Sequence, residues 1–217
     1  MTPFNATLIS FGFECLAFGV ALFNFRKMKT RYLPVVVSLA MGVINDTVSL
    51  CLMFSGLSNS INANIYVLID LFIIVWLFKK LSGEQMNYFL VIVIFIGFGL
   101  WILDNLILHS LQANNSLYRM GASALIVLMA LEKLGDITLF NGPDRVLKTD
   151  VLILIGLLVY YCFKTFVECF HVFQMKVDKA FYVLLWLILA TMRIITYILF
   201  SLAILWAPKK TEYISHL

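Results

Sequence analysis

Charged side chains are scarce in this chain. Asp, Glu, Lys and Arg make up 13% of its 217 residues, whereas soluble domains carry about 25%. Hydrophobic residues reach 62%, and so much apolar surface cannot be hidden in one water-soluble core. This composition excludes an ordinary soluble domain and predicts a protein that uses the lipid bilayer as its solvent. The formal net charge of +4 does not indicate nucleic-acid binding, so no nucleic-acid partner is expected.

Histidine is also scarce, and its three positions, His109, His171 and His216, are far apart. Their spacing excludes a three-histidine zinc site of the kind found in metal hydrolases. The last apolar run, residues 181–206, contains no lysine, which excludes a retinal Schiff base in that run. Phosphate-binding glycine loops, GxSxG and HExxH are absent as well. We therefore predict no cofactor.

The four cysteines show neither CxxC nor Cys/His spacing, so they predict no metal or redox motif. All four lie in apolar runs, where cysteine behaves as a small hydrophobic residue. We expect them to be buried packing residues. They are Cys15, Cys51, Cys162 and Cys169.

Long apolar runs dominate what remains. A transmembrane helix needs about 20 mostly apolar residues, and seven such runs are separated by short polar, glycine-rich or proline-containing stretches. The fifth run is interrupted by Glu132, Lys133 and Asp136. The sequence predicts an all-α, single-domain bundle of seven transmembrane helices. The spans are predicted at about 8–25, 33–54, 64–81, 88–108, 118–140, 151–173 and 181–206.

The lysines and arginines predict the orientation of this bundle. With the N-terminus outside, ten of the 16 bases fall in cytoplasmic segments, including Arg26, Lys27 and the pair Lys79 and Lys80. Three bases face outside, among them Arg119, and three lie within spans. We therefore predict an external N-terminus and a cytoplasmic C-terminus.

Seven acidic residues fall inside the predicted spans. A charge at the bilayer centre costs about 2.5–3.5 kcal/mol on insertion scales, so these acids are expected to face the bundle interior, pair with bases, bind cations or carry a proton. Polar groups between helices also hold bundles together without any further role, and both interpretations stay open for each residue. The seven are Glu14, Asp46, Asp70, Asp104, Glu132, Asp136 and Glu168.

Two ion pairs are predicted from position alone. Lys164 and Glu168 are four residues apart and share one helix face. Arg193 and Glu132 are predicted at a similar depth on different spans, so they form a candidate structural ion pair between helices.

Most of the ionisable groups within the spans lie in the outer half of the predicted bundle, and acids outnumber bases there. This distribution predicts a water-accessible, acidic pocket that favours a cationic ligand, a metal ion or a proton. Asparagine and tyrosine side chains flank the acids and suit such a pocket. The predicted ligand-binding residues are Glu14, Asn45, Asp46, Tyr66, Asp70, Asp104, Lys164, Glu168 and Arg193.

Several short motifs resemble those of a family of small, uncharacterised bacterial seven-helix membrane proteins. They are Phe13-Glu14 in span one, Asn45-Asp46 in span two, the run 64–70 ending in Asp70, and Leu131-Glu132 in span five, with a polar centre in span seven. The chain departs from the resemblance at position 70, where we expect Glu, although Asp70 keeps the charge. The resemblance implies a seven-helix fold in the bacterial inner membrane and implies no activity.

Three functions remain open at this point. The first is a receptor-like sensor that binds a small, cationic ligand in the pocket and signals through a separate cytoplasmic or membrane partner. The second is a small secondary transporter or proton-coupled carrier that uses the intramembrane carboxylates. The third is an intramembrane enzyme with Asp46 and Asp70 as acid–base groups. The absence of an internal repeat favours the receptor over the transporter.

Overall fold

The computed structural model describes residues 3–83, 86–113, 115–140, 148–173 and 178–208, and these residues contain seven long helices and no strand. The predicted all-α fold is therefore confirmed for this part of the chain. Each predicted span falls on one helix, and the largest difference in a boundary is six residues, at the end of the fourth span, where α4 ends at Ile102 and not at 108. The helices are α1 (Pro3–Asn24), α2 (Leu33–Phe54), α3 (Ser60–Leu81), α4 (Tyr88–Ile102), α5 (Ser116–Phe140), α6 (Lys148–Val172) and α7 (Lys179–Trp206).

Two short elements extend these helices. A 3₁₀ turn over Thr30–Tyr32 leads into α2, whose Pro34 lies in the first turn, where a missing N–H costs no helical hydrogen bond. A π-helical segment, Leu103–Leu108, continues α4.

Six of the seven helices are long and apolar enough to cross a membrane. The chain is therefore a multi-pass membrane protein. The other long helix, α5, does not meet the same requirement, because it carries Arg119, Glu132, Lys133 and Asp136. It corresponds to the fifth apolar run, which the sequence showed to be interrupted by charged residues.

The helices form a closed ring in chain order. Each helix packs against the next, α7 returns to α1, and α3 also contacts α5 across the ring. Helices joined by short connections run antiparallel to one another. We call the end where α1, α3, α5 and α7 begin the upper end, and the opposite end the lower end.

Apolar side chains fill the lower half of the ring. Leu77, Phe78, Leu154 and Ala203 are almost completely buried there. Higher up, Gly156 lies so close to the Phe200 ring that a Cβ on residue 156 would be 3.0 Å from Cε1 of Phe200. Small residues of this kind let membrane helices approach closely.

The cysteines do not follow the prediction of buried packing residues. Cys51 and Cys162 are exposed on the helix surfaces, and Cys15 and Cys169 are half-buried. An apolar run in a membrane helix has a lipid-facing side as well as a buried one, so hydropathy alone could not separate the two.

A charged cluster joins three helices at the lower end. Arg31 forms an ion pair of 2.5 Å with Asp150 at the start of α6 and donates a hydrogen bond of 3.1 Å to the carbonyl of Leu81 at the end of α3. The buried hydroxyl of Tyr32 donates to the other carboxylate oxygen of Asp150 at 2.9 Å.

Asn64 is the hydrogen-bonding centre of the upper end between α3, α4 and α5. Its amide nitrogen donates to the carbonyls of Leu111 and Ala113 at 3.0 and 2.9 Å. Its amide oxygen accepts from Arg119 at 2.9 Å, and its backbone carbonyl accepts from the Trp101 indole at 3.0 Å. This side of the upper end is therefore closed by satisfied polar groups.

Asp104 caps the beginning of α5. Its side chain is 0% exposed. One carboxylate oxygen accepts the backbone N–H of Tyr118 at 2.7 Å, and the other lies 2.8 Å from Nδ1 of His109. The first N–H groups of a helix have no partner within the helix, and a carboxylate is a favourable acceptor for them. Asp104 therefore connects the π-helical segment to α5.

We predict that Asp104→Ala destabilises the bundle by about 1–2 kcal/mol, because capping side chains contribute this much. The measurement is chemical or thermal unfolding of the purified protein in detergent. Asp136→Ala is the matched control, since Asp136 is half-exposed and pairs only loosely, at 3.5 Å, with Lys133. Equal effects of the two substitutions would contradict the capping role.

Candidate functional site

A polar cavity of about 360 Å³ extends from the upper end of the ring to below its middle. Its walls come from α1, α2, α3, α6 and α7, and α5 contributes Arg119. Met53, near the upper end of α2, and Asn59, in the α2–α3 connection, also line the cavity, so it reaches the upper end of the bundle. The ionisable lining residues other than tyrosines are Glu14, Asp46, Asp70, Arg119, Lys164, Glu168 and Arg193.

Arg193 is the charged centre of this cavity. Its Nη2 lies 3.0 Å from Oε2 of Glu14 on α1 and 2.8 Å from Oδ2 of Asp46 on α2. Its Nε donates a hydrogen bond of 2.7 Å to the Tyr197 hydroxyl, one turn further along α7. One guanidinium group therefore joins three helices, and two buried carboxylates compensate its charge.

An asparagine chain leads from Asp46 towards the upper end. Asn45 donates to Oδ1 of Asp46 at 3.1 Å, and Asn62 on α3 donates to the amide oxygen of Asn45 at 2.9 Å. The Asn62 nitrogen is also 3.1 Å from the amide oxygen of Asn59 in the connecting loop. These neutral groups hold the α2–α3 corner and orient the Asp46 carboxylate.

Gly42 makes room for the Glu14 carboxylate. A Cβ on residue 42 would lie 2.0 Å from Oε1 of Glu14 and 3.4 Å from the Tyr66 hydroxyl. Glu14 itself is 1% exposed. A glycine is therefore required on α2 at this point so that Glu14 can reach Arg193 across the α1–α2 interface.

Asp70 lies in the same cavity and has a different partner. The Tyr161 hydroxyl on α6 donates to Oδ2 of Asp70 on α3 at 2.5 Å, and both residues are buried. This hydrogen bond connects α3 and α6 across the ring. It also satisfies one oxygen of a carboxylate that lacks a base within ion-pairing distance among the described residues.

Lys164 and Glu168 line the cavity on α6 and do not pair with each other. Each is 9% exposed. The Lys164 ammonium lies 5.6 and 5.4 Å from the ring centres of Tyr160 and Tyr161, at cation–π distance. Oε2 of Glu168 is buried and has no hydrogen-bond partner within the described part of the chain. The ion pair predicted from their spacing is therefore not formed.

The structure gathers most of the predicted ligand-binding residues. All of them except Asp104 line this one cavity: Glu14, Asn45, Asp46, Tyr66, Asp70, Lys164, Glu168 and Arg193. Asp104 is a correction, since it lies outside the cavity and caps α5. Its position near the end of a span was compatible with both roles, and only the fold shows that the α5 backbone takes its charge.

The predicted ion pair between Glu132 and Arg193 is wrong. Arg193 pairs with Glu14 and Asp46, whereas Glu132 is exposed on the surface of α5. The prediction compared depth along the helices, but depth says nothing about which face a side chain occupies. In the ring, α7 lies between α6 and α1, so the carboxylates nearest to Arg193 come from the first two helices.

Three residues of the site escaped the sequence-based prediction. Arg119 was assigned to the outside, although it precedes Ser123 by four residues and Ile126 by seven, both on the buried stripe of α5. Tyr161 shares the helical face of Lys164 and Glu168, so its place in the cavity was readable from spacing. The role of Gly42 carried no sequence signal, because it depends on the approach of α1.

Among the described residues, no group of three or more His, Cys, Asp or Glu side chains is placed to hold a metal ion. Comparison of the chain with protein-family profiles, curated proteins and solved structures gave no match. The chemistry of the site therefore has to be inferred from its own geometry, which is that of a partly charge-compensated binding cavity.

We predict that Arg193→Gln destabilises the bundle by at least about 3 kcal/mol, because removing one partner of a buried ion pair leaves uncompensated charge. Removing all three charges, in Glu14→Gln/Asp46→Asn/Arg193→Gln, should restore much of this loss. The measurement is unfolding in detergent together with the yield of monodisperse protein.

Glu132→Gln is the control for the corrected pairing. It should leave stability unchanged, and its effect should add to that of Arg193→Gln without coupling, as expected for side chains that do not interact. A triple variant no more stable than Arg193→Gln would contradict the three-residue ion cluster.

Proposed function

We propose that the chain is a receptor-like protein of the bacterial inner membrane that binds a small ligand carrying a cationic group in the upper cavity. The observation that carries the proposal is the asymmetry of the bundle. A polar cavity is accessible at the upper end, and the lower half is apolar and closely packed. A site of this shape admits a ligand from the upper side, and the described residues form no polar route from it to the lower end.

The floor of the cavity supports a binding role. The apolar lining residues nearest the lower end are Leu39, Ile74, Leu157 and Phe200. Below them the core continues with buried residues such as Phe78 and Leu154. Beyond that core, the Arg31–Tyr32–Asp150 cluster ties three helices together. Alternating access would have to separate all of these contacts, so the geometry favours a sensor over a carrier.

The distribution of bases supports an outward-facing cavity. Arg26, Lys27, Lys29 and the pair Lys79 and Lys80 lie at the lower end, and cytoplasmic loops are enriched in Lys and Arg. This orientation puts the N-terminus outside. It requires α5 to be the seventh crossing, and its 25 residues are sufficient because a helix rises about 1.5 Å per residue.

The charge of the cavity supports a ligand with a cationic group. Four carboxylates line the cavity against three bases, so acids outnumber bases by one. Glu168 keeps a buried oxygen without a partner among the described residues. A cationic group beside Glu168 would satisfy it. Ligand binding would then be communicated through the helix ends to a separate signalling partner.

A small secondary transporter is the alternative, and one observation favours it. The carboxylates of Glu14, Asp46 and Asp70 are buried in the membrane next to the cavity, as the coupling groups of proton-driven carriers are. An enzyme using Asp46 and Asp70 has less support, because Arg193 and Tyr161 already engage these two carboxylates.

The proposal predicts binding from the outside without accumulation. Sealed right-side-out vesicles containing the full chain would be incubated with radiolabelled choline, putrescine and L-α-amino acids, one at a time. We expect saturable binding of at least one of these probes, weakened at least tenfold by Glu168→Gln and unchanged by Glu132→Gln. Inside-out vesicles should bind none.

Two outcomes would contradict the proposal. Equal binding in inside-out vesicles would place the cavity on the other side. Time-dependent accumulation that is released by permeabilisation and abolished by Asp70→Asn would show a transporter instead of a receptor.

A further inference from the structure

Charged groups of both signs lie along one wall of the cavity without a close ion pair among the described residues. Lys164 and Glu168 are one turn apart on α6 and lie on the same face, yet no ion pair joins them or connects either one to another described residue. Arg119, on the neighbouring α5, uses its Nη2 on Asn64, and its Nε is buried without a partner in the described residues. All three line the cavity.

These groups differ from the rest of the site. The guanidinium of Arg193 has two carboxylates and a tyrosine hydroxyl, and Asp70 has the Tyr161 hydroxyl. By contrast, the Lys164 ammonium lies over two tyrosine rings and is attracted by Asp70 without pairing closely with it. Glu168 is attracted by Arg119, but one of its oxygens has no hydrogen-bond partner among the described residues, although each side chain is about nine-tenths buried. Buried charges without partners are costly, so native sites keep them where a ligand completes them.

From this arrangement we infer that the ligand is a small zwitterion of the α-amino-acid type. Its ammonium group binds Glu168, and its carboxylate binds Lys164. The inference rests on the proposed function and deepens it by adding an anionic group to the cationic one. The ammonium and carboxylate groups are carried by the same carbon of the ligand, and they match opposite charges about one helical turn apart on the protein, where side chains are about 5–6 Å apart at Cβ.

Ligands with a single charge fit this wall less well. A simple amine would satisfy Glu168 but would place its positive charge beside Lys164 and Arg119. A simple carboxylate would satisfy Lys164 but would lie beside Glu168 and Asp70. Discrimination against such ligands arises because each leaves a like charge uncompensated in a buried site. The zwitterion is the class that avoids both costs.

The wall also sets the direction of the ligand. Because α6 ends at Val172 at the upper end, Glu168 lies nearer to the opening than Lys164 does. The ligand ammonium is therefore placed towards the opening and its carboxylate deeper in the cavity. Trp186 and Tyr66 line the same cavity and offer apolar surface for the side chain of the ligand, within a volume in the range of about 300–1,000 Å³ typical of small-molecule sites.

The test uses the full-length protein in lipid nanodiscs and the twenty L-α-amino acids as probes, with thermal stabilisation as a first screen and calorimetry for affinity. The amino acid that binds most tightly is then compared with the amine lacking its carboxyl group and the acid lacking its amino group; for leucine these are 3-methylbutylamine and 4-methylpentanoate. We expect the zwitterion to bind at least tenfold more tightly than either.

Two variants assign the two charges. Glu168→Gln should weaken the zwitterion at least tenfold and leave the acid unchanged or tighter, whereas Lys164→Gln should weaken the zwitterion and leave the amine unchanged or tighter. Asp136→Asn, outside the cavity, should change none of the three. If either variant fails to fold, the comparison of the three probes on the unmodified protein still decides the question.

The outcomes separate this inference from the proposed function. An amine that binds as tightly as the zwitterion, or binding of choline or putrescine but of no amino acid, overturns the zwitterion and leaves the cationic-ligand receptor standing. Absence of binding for every probe, including the cations, overturns both. Equal weakening of all three compounds by both variants would show that Lys164 and Glu168 are structural.

Discussion

A half-buried guanidinium group between two buried carboxylates is the interaction on which the other features of this bundle depend. Arg193 on α7 contacts Glu14 on α1 and Asp46 on α2, so it joins the last helix of the ring to the first two. Desolvating three charges costs several kcal/mol for each ion, and the cost is recovered only if every partner stays in place. The glycine at position 42, which admits the Glu14 carboxylate, is part of this requirement.

The same interaction explains why a polar cavity persists inside a chain that is otherwise so apolar. With Arg193 compensated, the upper half retains a set of charged groups that are held apart on different helices, while the lower half packs Leu, Phe and Ala side chains closely. Hydrogen bonds of Asn64 connect the helices at the upper end, and the Arg31–Asp150 contact connects them at the lower end. The cavity therefore opens towards one end of the bundle.

Much of this arrangement could be predicted from the sequence, because hydropathy fixes where membrane helices lie and insertion cost marks acids within them as interior groups. The helices and the composition of the cavity wall followed from these two rules. Pairing did not. Arg193 could be assigned a depth but not a rotation, so Glu132 was chosen where Glu14 and Asp46 are the partners.

Asp104 and Arg119 show the same limit from opposite sides. Asp104 is an acid within a predicted span and was therefore predicted to bind ligand, but it caps α5. Arg119 was predicted to face outside, but it lines the cavity. In both cases the deciding fact is which backbone or side chain lies opposite in the ring. The amphipathic face of α5 contained that information for Arg119, whereas only the three-dimensional contact contains it for Asp104.

The central claim is tested most directly by solid-state NMR distance measurements in lipid bilayers, between isotope-labelled arginine guanidinium nitrogens and labelled side-chain carboxyl carbons. The signal of Arg193 is identified by its loss in Arg193→Gln. We predict that this guanidinium shows two short carboxyl contacts, one removed by Glu14→Gln and the other by Asp46→Asn. A contact to Glu132 instead, or no short carboxyl contact at Arg193, would contradict the account.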